Sequence, residues 1–146
     1  MLGDRLYRYR DAGLLLFRLG FGLTFLFYHG WGKLAGGPER WAELGGAMET
    51  FGITFGHTVF GFLAAFAESV GGLMIAAGLL YRPICAMLAF TMFVAAAQHI
   101  TTGQGSPAHA LKNLFVLVGL LPLGPGAYSL DAWLAGRRAA GRDPAA

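Results

Sequence analysis

The chain has 146 residues, 55% hydrophobic and 13% charged, with a mean hydropathy of +0.54 and a formal net charge of +3. A charged fraction about half the ~25% usual in soluble domains excludes an ordinary water-soluble globule. The absence of a Lys/Arg stripe with interleaved aromatics gives no support to nucleic-acid binding. Cys85 is the only cysteine, so an intrachain disulfide, a CxxC redox pair and a cysteine zinc site are excluded.

A helix needs about 20 mainly apolar residues to cross a ~30 Å hydrocarbon core. The first candidate span runs from about Gly13 to Leu34, interrupted only by Arg18, His29 and Lys33. No Ala-x-Ala cleavage site follows it, so it is expected to be a retained span, not a signal peptide. Between Pro38 and Phe55, Trp41, Leu44, Met48 and Phe51 recur at spacings of three and four. That predicts an amphipathic helix lying at the membrane interface or capping the other helices. The second span runs from about Thr58 to Leu80 with Glu68 near its middle, and the third from Pro83 to about Ile100. Pro83 suits a first helical turn, where a missing N–H costs nothing. The fourth, Ala108 to Leu123, is shorter and ends at Pro122, Gly124, Pro125 and Gly126. The predicted fold is all-α, an integral membrane four-helix bundle over residues 1–134 with a disordered basic tail over 135–146.

Loop charges predict the orientation. Arg5, Arg8 and Arg10 precede the first span, Arg82 joins the second to the third, and Arg137, Arg138 and Arg142 follow the fourth. The first-to-second connection mixes both signs, and the third-to-fourth, Thr101 to Pro107, has no charge. The positive-inside rule then places both termini in the cytoplasm. Glycines at Gly20, Gly22, Gly71, Gly72 and Gly78 are expected to let helix backbones approach closely.

Ionisable groups inside such spans are costly, and each is a candidate functional residue. Helical rise brings His29 and Lys33 of the first span, Gln98 and His99 of the third, and Lys112 of the fourth to one layer near the outer leaflet. His109 and Asn113 lie at the same level. His29 and Lys33, four residues apart, share a face of a regular helix. Such a layer suits the carbonyl oxygens of a quinone head group, an anion or a proton relay. It equally suits simple solvation at headgroup level. Two histidines with no carboxylate at their depth make a poor metal site, and none is expected. Arg18 and Glu68 are expected to pair with each other as a structural ion pair.

Arg18, the run His29-Gly30-Trp31-Gly32-Lys33, Glu68-Ser69-Val70-Gly71-Gly72, Gly78-Leu79-Leu80-Tyr81-Arg82, His99 and the closing Gly124-Pro125-Gly126-Ala127-Tyr128-Ser129-Leu130-Asp131 together resemble the DoxX family. The resemblance extends from about Gly13 to Leu134. It implies a multi-pass protein of the bacterial inner membrane, since some relatives are subunits of quinone-linked or oxidative-stress oxidoreductase assemblies. The expectation is a membrane subunit of such an assembly, with redox protein subunits or further copies of itself as partners and quinone as its cofactor. The alternatives are a non-enzymatic anchor or assembly factor, and a small-solute or proton pathway through Glu68. Asp131 is expected either to cap a following short helix or to pair with Arg82.

Overall fold

The computed structural model describes residues 7–140, and every regular element among them is helical. Helix α1 (Arg10–Thr24), a π-helical turn (Phe25–Gly30) and α2 (Trp31–Ala35) stack end to end into one apolar rod, Arg10–Ala35. Helix α3 (Gly37–Gly45) and a 3-10 stretch (Gly46–Phe51) follow. Then come α4 (His57–Ala77), α5 (Tyr81–Thr102), α6 (Ala108–Leu123) and α7 (Leu130–Ala140). The rod, α4 and α5 are each long and apolar enough to cross a membrane. At ~1.5 Å per residue, the 16-residue α6 is about 24 Å long and falls short of a ~30 Å core.

Helix α4 is the centre of the molecule. The rod, α3 and α5 all pack on it, while α6 packs on α5. Its buried residues are mostly small, including Gly61, Ala65, Ala67, Ser69, Gly72 and Ala76, so neighbouring backbones come close. A Cβ on Gly22 would strike Gly72 O and Ala76, and one on Gly30 would strike the Ser69 backbone. These two contacts seat the rod on α4 and fix its register. Gly72 and Gly22 therefore do what their spacing predicts. Gly20 does not, because a Cβ there would meet nothing within 4 Å.

The amphipathic segment packs inward on the first half of α4. A Cβ on Gly61 would strike the Trp41 carbonyl and one on Gly45 the His57 carbonyl. The Trp41 ring meets Phe62 edge-on at 4.9 Å, and Trp41 Nε1 donates to Lys33 O (3.0 Å). Helix α3 is thus latched both to α4 and to the end of the rod.

Three residues join α4 to α5. Gly78 (φ +68°) ends α4, with Leu79 N–H donating to Met74 O (2.9 Å) and Gly78 N–H to Ile75 O (3.1 Å). That is the paired bonding of a Schellman motif. Leu80 then takes φ +46°, an unusual conformation for a branched residue. Asp131 holds it: Oδ1 accepts from Leu80 N–H and Oδ2 from Tyr81 N–H, both at 2.9 Å. Neither role expected for Asp131 occurs. It caps the distant α5, because its own N–H donates to Gly78 O (3.0 Å) and draws it over the turn. Arg82 instead donates through Nε to Leu121 O (3.1 Å). Helix α7 continues through Ala140, so residues 135–140, expected in the disordered tail, are helical. The remainder of that tail lies outside the described residues.

Asp131→Ala removes both acceptors at the entrance to α5. Thermal unfolding in detergent should show a loss of about 2 kcal/mol, the upper range for a helix cap. Asp131→Asn should lose less, since one side-chain oxygen still accepts.

Candidate functional site

The rod carries a ladder of rings at every fourth residue. Phe17 and Phe21 stack at 5.3 Å, Phe21 and Phe25 lie at 4.9 Å, and Phe25 and His29 at 5.3 Å. The ladder then crosses to α6, where His109 meets His29 with ring centroids 4.7 Å apart. Helices α1 and α6 are otherwise held apart, and between them lies a groove of about 370 Å³ open at the side. Phe17, Phe21 and Phe25 wall it, Gly20 leaves room in it, and His29, His109, Lys112 and Asn113 close one end.

The polar end is ordered by α6. His109 and Asn113 are one turn apart, and Asn113 Nδ2 donates to His109 Nε2 (2.9 Å). An accepting Nε2 leaves the imidazole proton on Nδ1. Asn113 is buried while Lys112 and His109 are exposed. The end of the groove therefore offers an ammonium, amide N–H and two imidazoles, a donor-rich set suited to oxygen acceptors.

The π turn determines which residues reach this end. Its i→i+5 bonding fits more residues into a turn than an α-helix and so rotates the residues that follow it relative to those of α1. His29, within the turn, faces the groove. Lys33, just beyond it, turns to α4, where its Nζ donates to Glu68 Oε1 (2.7 Å) and Oε2 (2.5 Å). The Glu68 side chain is 4% exposed and that of Lys33 28%. A carboxylate this deep requires a partner, and Lys33 supplies it.

The expected pairing of Arg18 with Glu68 is therefore replaced. Arg18 lies beside Gly78, ten residues along α4 from Glu68 or about 15 Å at helical rise. It is fully buried, and its Nη2 donates to Tyr128 O (2.5 Å). Arg18 Nε and Nη1, with Tyr81 Oη, have no hydrogen-bond partner. Arg18 thus ties the segment after α6 to α1 beside the end of α4.

Of the five residues expected in one polar layer, the groove unites His29 and Lys112. Lys33 is held by Glu68. His99 lies at the end of α5, with Nδ1 2.7 Å from Gln104 O in the following turn. Gln98 supplies its carbonyl to the Thr101 and Thr102 hydroxyls. Neither Gln98 nor His99 lines the groove. The Phe17–Phe21–Phe25–His29 repeat was visible in the sequence as an i, i+4 series. Its meeting with His109 was not. Among the described residues no cluster of three or more His, Cys, Asp or Glu side chains could hold a metal ion.

The DoxX family model matches residues 13–101, more than half of the chain and the whole of the rod from Gly13, α3, α4 and nearly all of α5. The chain belongs to the DoxX family. Membership, with three apolar helices of spanning length, points to a membrane protein. No curated protein and no solved structure matches the chain. The DoxX match ends before α6, so His109, Lys112 and Asn113 lie beyond it.

The Lys33–Glu68 pair can be tested by removing one charge or both. Lys33→Met leaves a buried carboxylate unpaired and should cost about 3 kcal/mol of stability in detergent. Lys33→Met with Glu68→Met should recover most of that loss. A double variant no more stable than the single one would show that the pair is not what Glu68 requires.

Proposed function

We propose that this DoxX protein is a quinone-binding membrane subunit of an oxidoreductase assembly, with the head group held at the polar end of the α1–α6 groove. The observation that carries this reading is the groove itself. Its aromatic walls lead to a donor-rich end and its side opens where lipid would lie. A quinone is planar, accepts hydrogen bonds through its carbonyl oxygens and carries an apolar tail. Lys112 and the imidazoles of His29 and His109 are suited to those oxygens, Phe21 and Phe25 to the ring, and the open side to the tail. The groove volume of about 370 Å³ falls within the ~300–1,000 Å³ usual for small-molecule sites. When bound, a quinone would supply the capacity to accept electrons. The chain's own residues bind and orient it and place exchangeable protons beside its oxygens.

In this reading the protein spans the bacterial inner membrane four times as a four-helix bundle, with both termini in the cytoplasm. The short α6 would be accommodated by local thinning of the bilayer. Support for the orientation comes from the clustering of positive charge at one end. Arg10 and Arg82 both reach the carbonyls at the end of α6, and α7 with Arg137 and Arg138 begins beside the α4–α5 turn. An excess of arginine at one end marks the cytoplasmic side.

The test is extraction of lipids from the purified protein in mild detergent and quantification of quinone per chain by mass spectrometry. Wild-type protein should retain quinone near one per chain. His29→Ala with Lys112→Ala should reduce it by about tenfold or more, as expected for lost hydrogen bonds to a buried acceptor. Gln98→Ala with His99→Ala should leave it unchanged. Absence of quinone from the wild-type protein, or equal loss in both double variants, would overturn the proposal.

A further inference from the structure

The same α1–α6 seam has a second furrow, at the end where α1 begins. It has a volume of about 540 Å³ and is walled by Gly13, Leu14 and Phe17 of α1 and by Phe115, Gly119 and Leu123 of α6, with Arg10 at its mouth. A Cβ added to Gly13 or Gly119 would meet nothing within 4 Å. These glycines therefore do not serve helix contact, unlike Gly22 and Gly30. Glycine inside a helix costs about 1 kcal/mol relative to alanine, and here the gain is empty space. The furrow is hollow because its side chains are missing from both walls.

Its mouth is cationic. Arg10 Nη2 makes one long bond to Leu123 O (3.4 Å), and its guanidinium stands 6.0 Å from the Tyr7 ring. Arg82 reaches the same helix end from α5 at Leu121 O. Among the described residues, neither arginine has a carboxylate oxygen within 4 Å of its nitrogens. Asp11, the nearest acid in sequence, is occupied by Ala127 N–H (3.1 Å). Satisfying two carbonyls uses one donor of the five on each guanidinium, so most of their hydrogen-bonding capacity is directed outward.

An apolar channel with a guanidinium at its mouth that no described carboxylate pairs is complementary to an amphiphile with an anionic head. We propose that this furrow is a binding site for an anionic glycerophospholipid, with an acyl chain between α1 and α6 and the phosphate at Arg10. Basic residues beside helix ends at the membrane surface recognise such head groups, and an Arg fork can bind phosphate oxygens in pairs. The site is separate from the polar end formed by His29 and Lys112, and its existence does not require a quinone there. Its consequence is structural. A lipid in the furrow fills the gap that the protein leaves between α1 and α6, and so supports the seam from the opposite end.

Native mass spectrometry of the full chain in detergent tests this, with phosphatidylglycerol and phosphatidylcholine of identical acyl chains as probes. Wild-type protein should retain phosphatidylglycerol about fivefold better, a difference of roughly 1 kcal/mol for one arginine near an anionic head group. Arg10→Gln should abolish that preference while leaving the phosphatidylcholine adduct unchanged. Gly119→Leu, which fills the furrow without a protein clash, should reduce both adducts. Gly13→Leu fills it from the other wall and serves if Gly119→Leu does not fold. Equal retention of the two lipids by the wild type would overturn the proposal, as would a preference that survives Arg10→Gln. Unchanged adducts in a folded furrow-filling variant would also overturn it. A change in subunit number in that variant would assign the furrow to a second copy of the chain instead.

Discussion

Close approach of the first rod to α4 governs the structure. Gly22 lies on Gly72 and Ala76, and Gly30 lies on the Ser69 backbone. Two contacts along one helix pair leave almost no freedom to slide, because any shift would put side chains where only hydrogen fits. The surroundings of Arg18 and Lys33 are then determined. Arg18 is carried to the level of Gly78 and Lys33 to the level of Glu68. A buried charge is costly without a partner; Lys33 and Glu68 supply one another, while Arg18 meets the Tyr128 carbonyl.

The π turn adds rotation to this register. Packing Gly30 against Ser69 requires the chain to pass α4 closely, and the widened turn ending there rotates the residues of α2 relative to those of α1. His29 is left on the side of α6 and Lys33 on the side of α4. One residue enters the groove and the other neutralises a buried carboxylate. A regular helix would place both on one face. The site thus depends on a local departure from α-geometry, and the departure occurs where two backbones nearly touch.

The two ends of the molecule are closed differently. At the end where α1 begins, Asp11, Arg18 and Asp131 each bind backbone groups of other segments, joining the chain after α6 to α1 and to the α4–α5 turn. Along the α1–α6 seam the protein instead leaves grooves, hollowed by glycines and lined by a ladder of rings. The rigid clasp holds α1 and α6 in position without requiring them to touch. That lets one molecule of modest size present laterally open space while keeping a packed centre on α4.

Local chemistry in the sequence determined the helices, their ends and the family. Apolar runs of spanning length, Pro83 in a first turn and Gly124 at a helix end depend only on neighbouring residues, as does the order of motifs shared with DoxX proteins; Gly78, expected to serve packing inside a span running to Leu80, instead ends α4. The presence of ionisable groups inside apolar segments was equally legible, and with it the region where a site should be sought. Pairing was decided only in three dimensions. Depth along each helix can be counted, but the register and rotation of one helix against another come from contacts between residues dozens of positions apart. For that reason Arg18 and Glu68, each deep and opposite in charge, do not meet. His99 shares a level with His29 yet faces another turn. His109 and Asn113 complete the groove because α6 stands across from the ring ladder, and no spacing within either helix contains that relation.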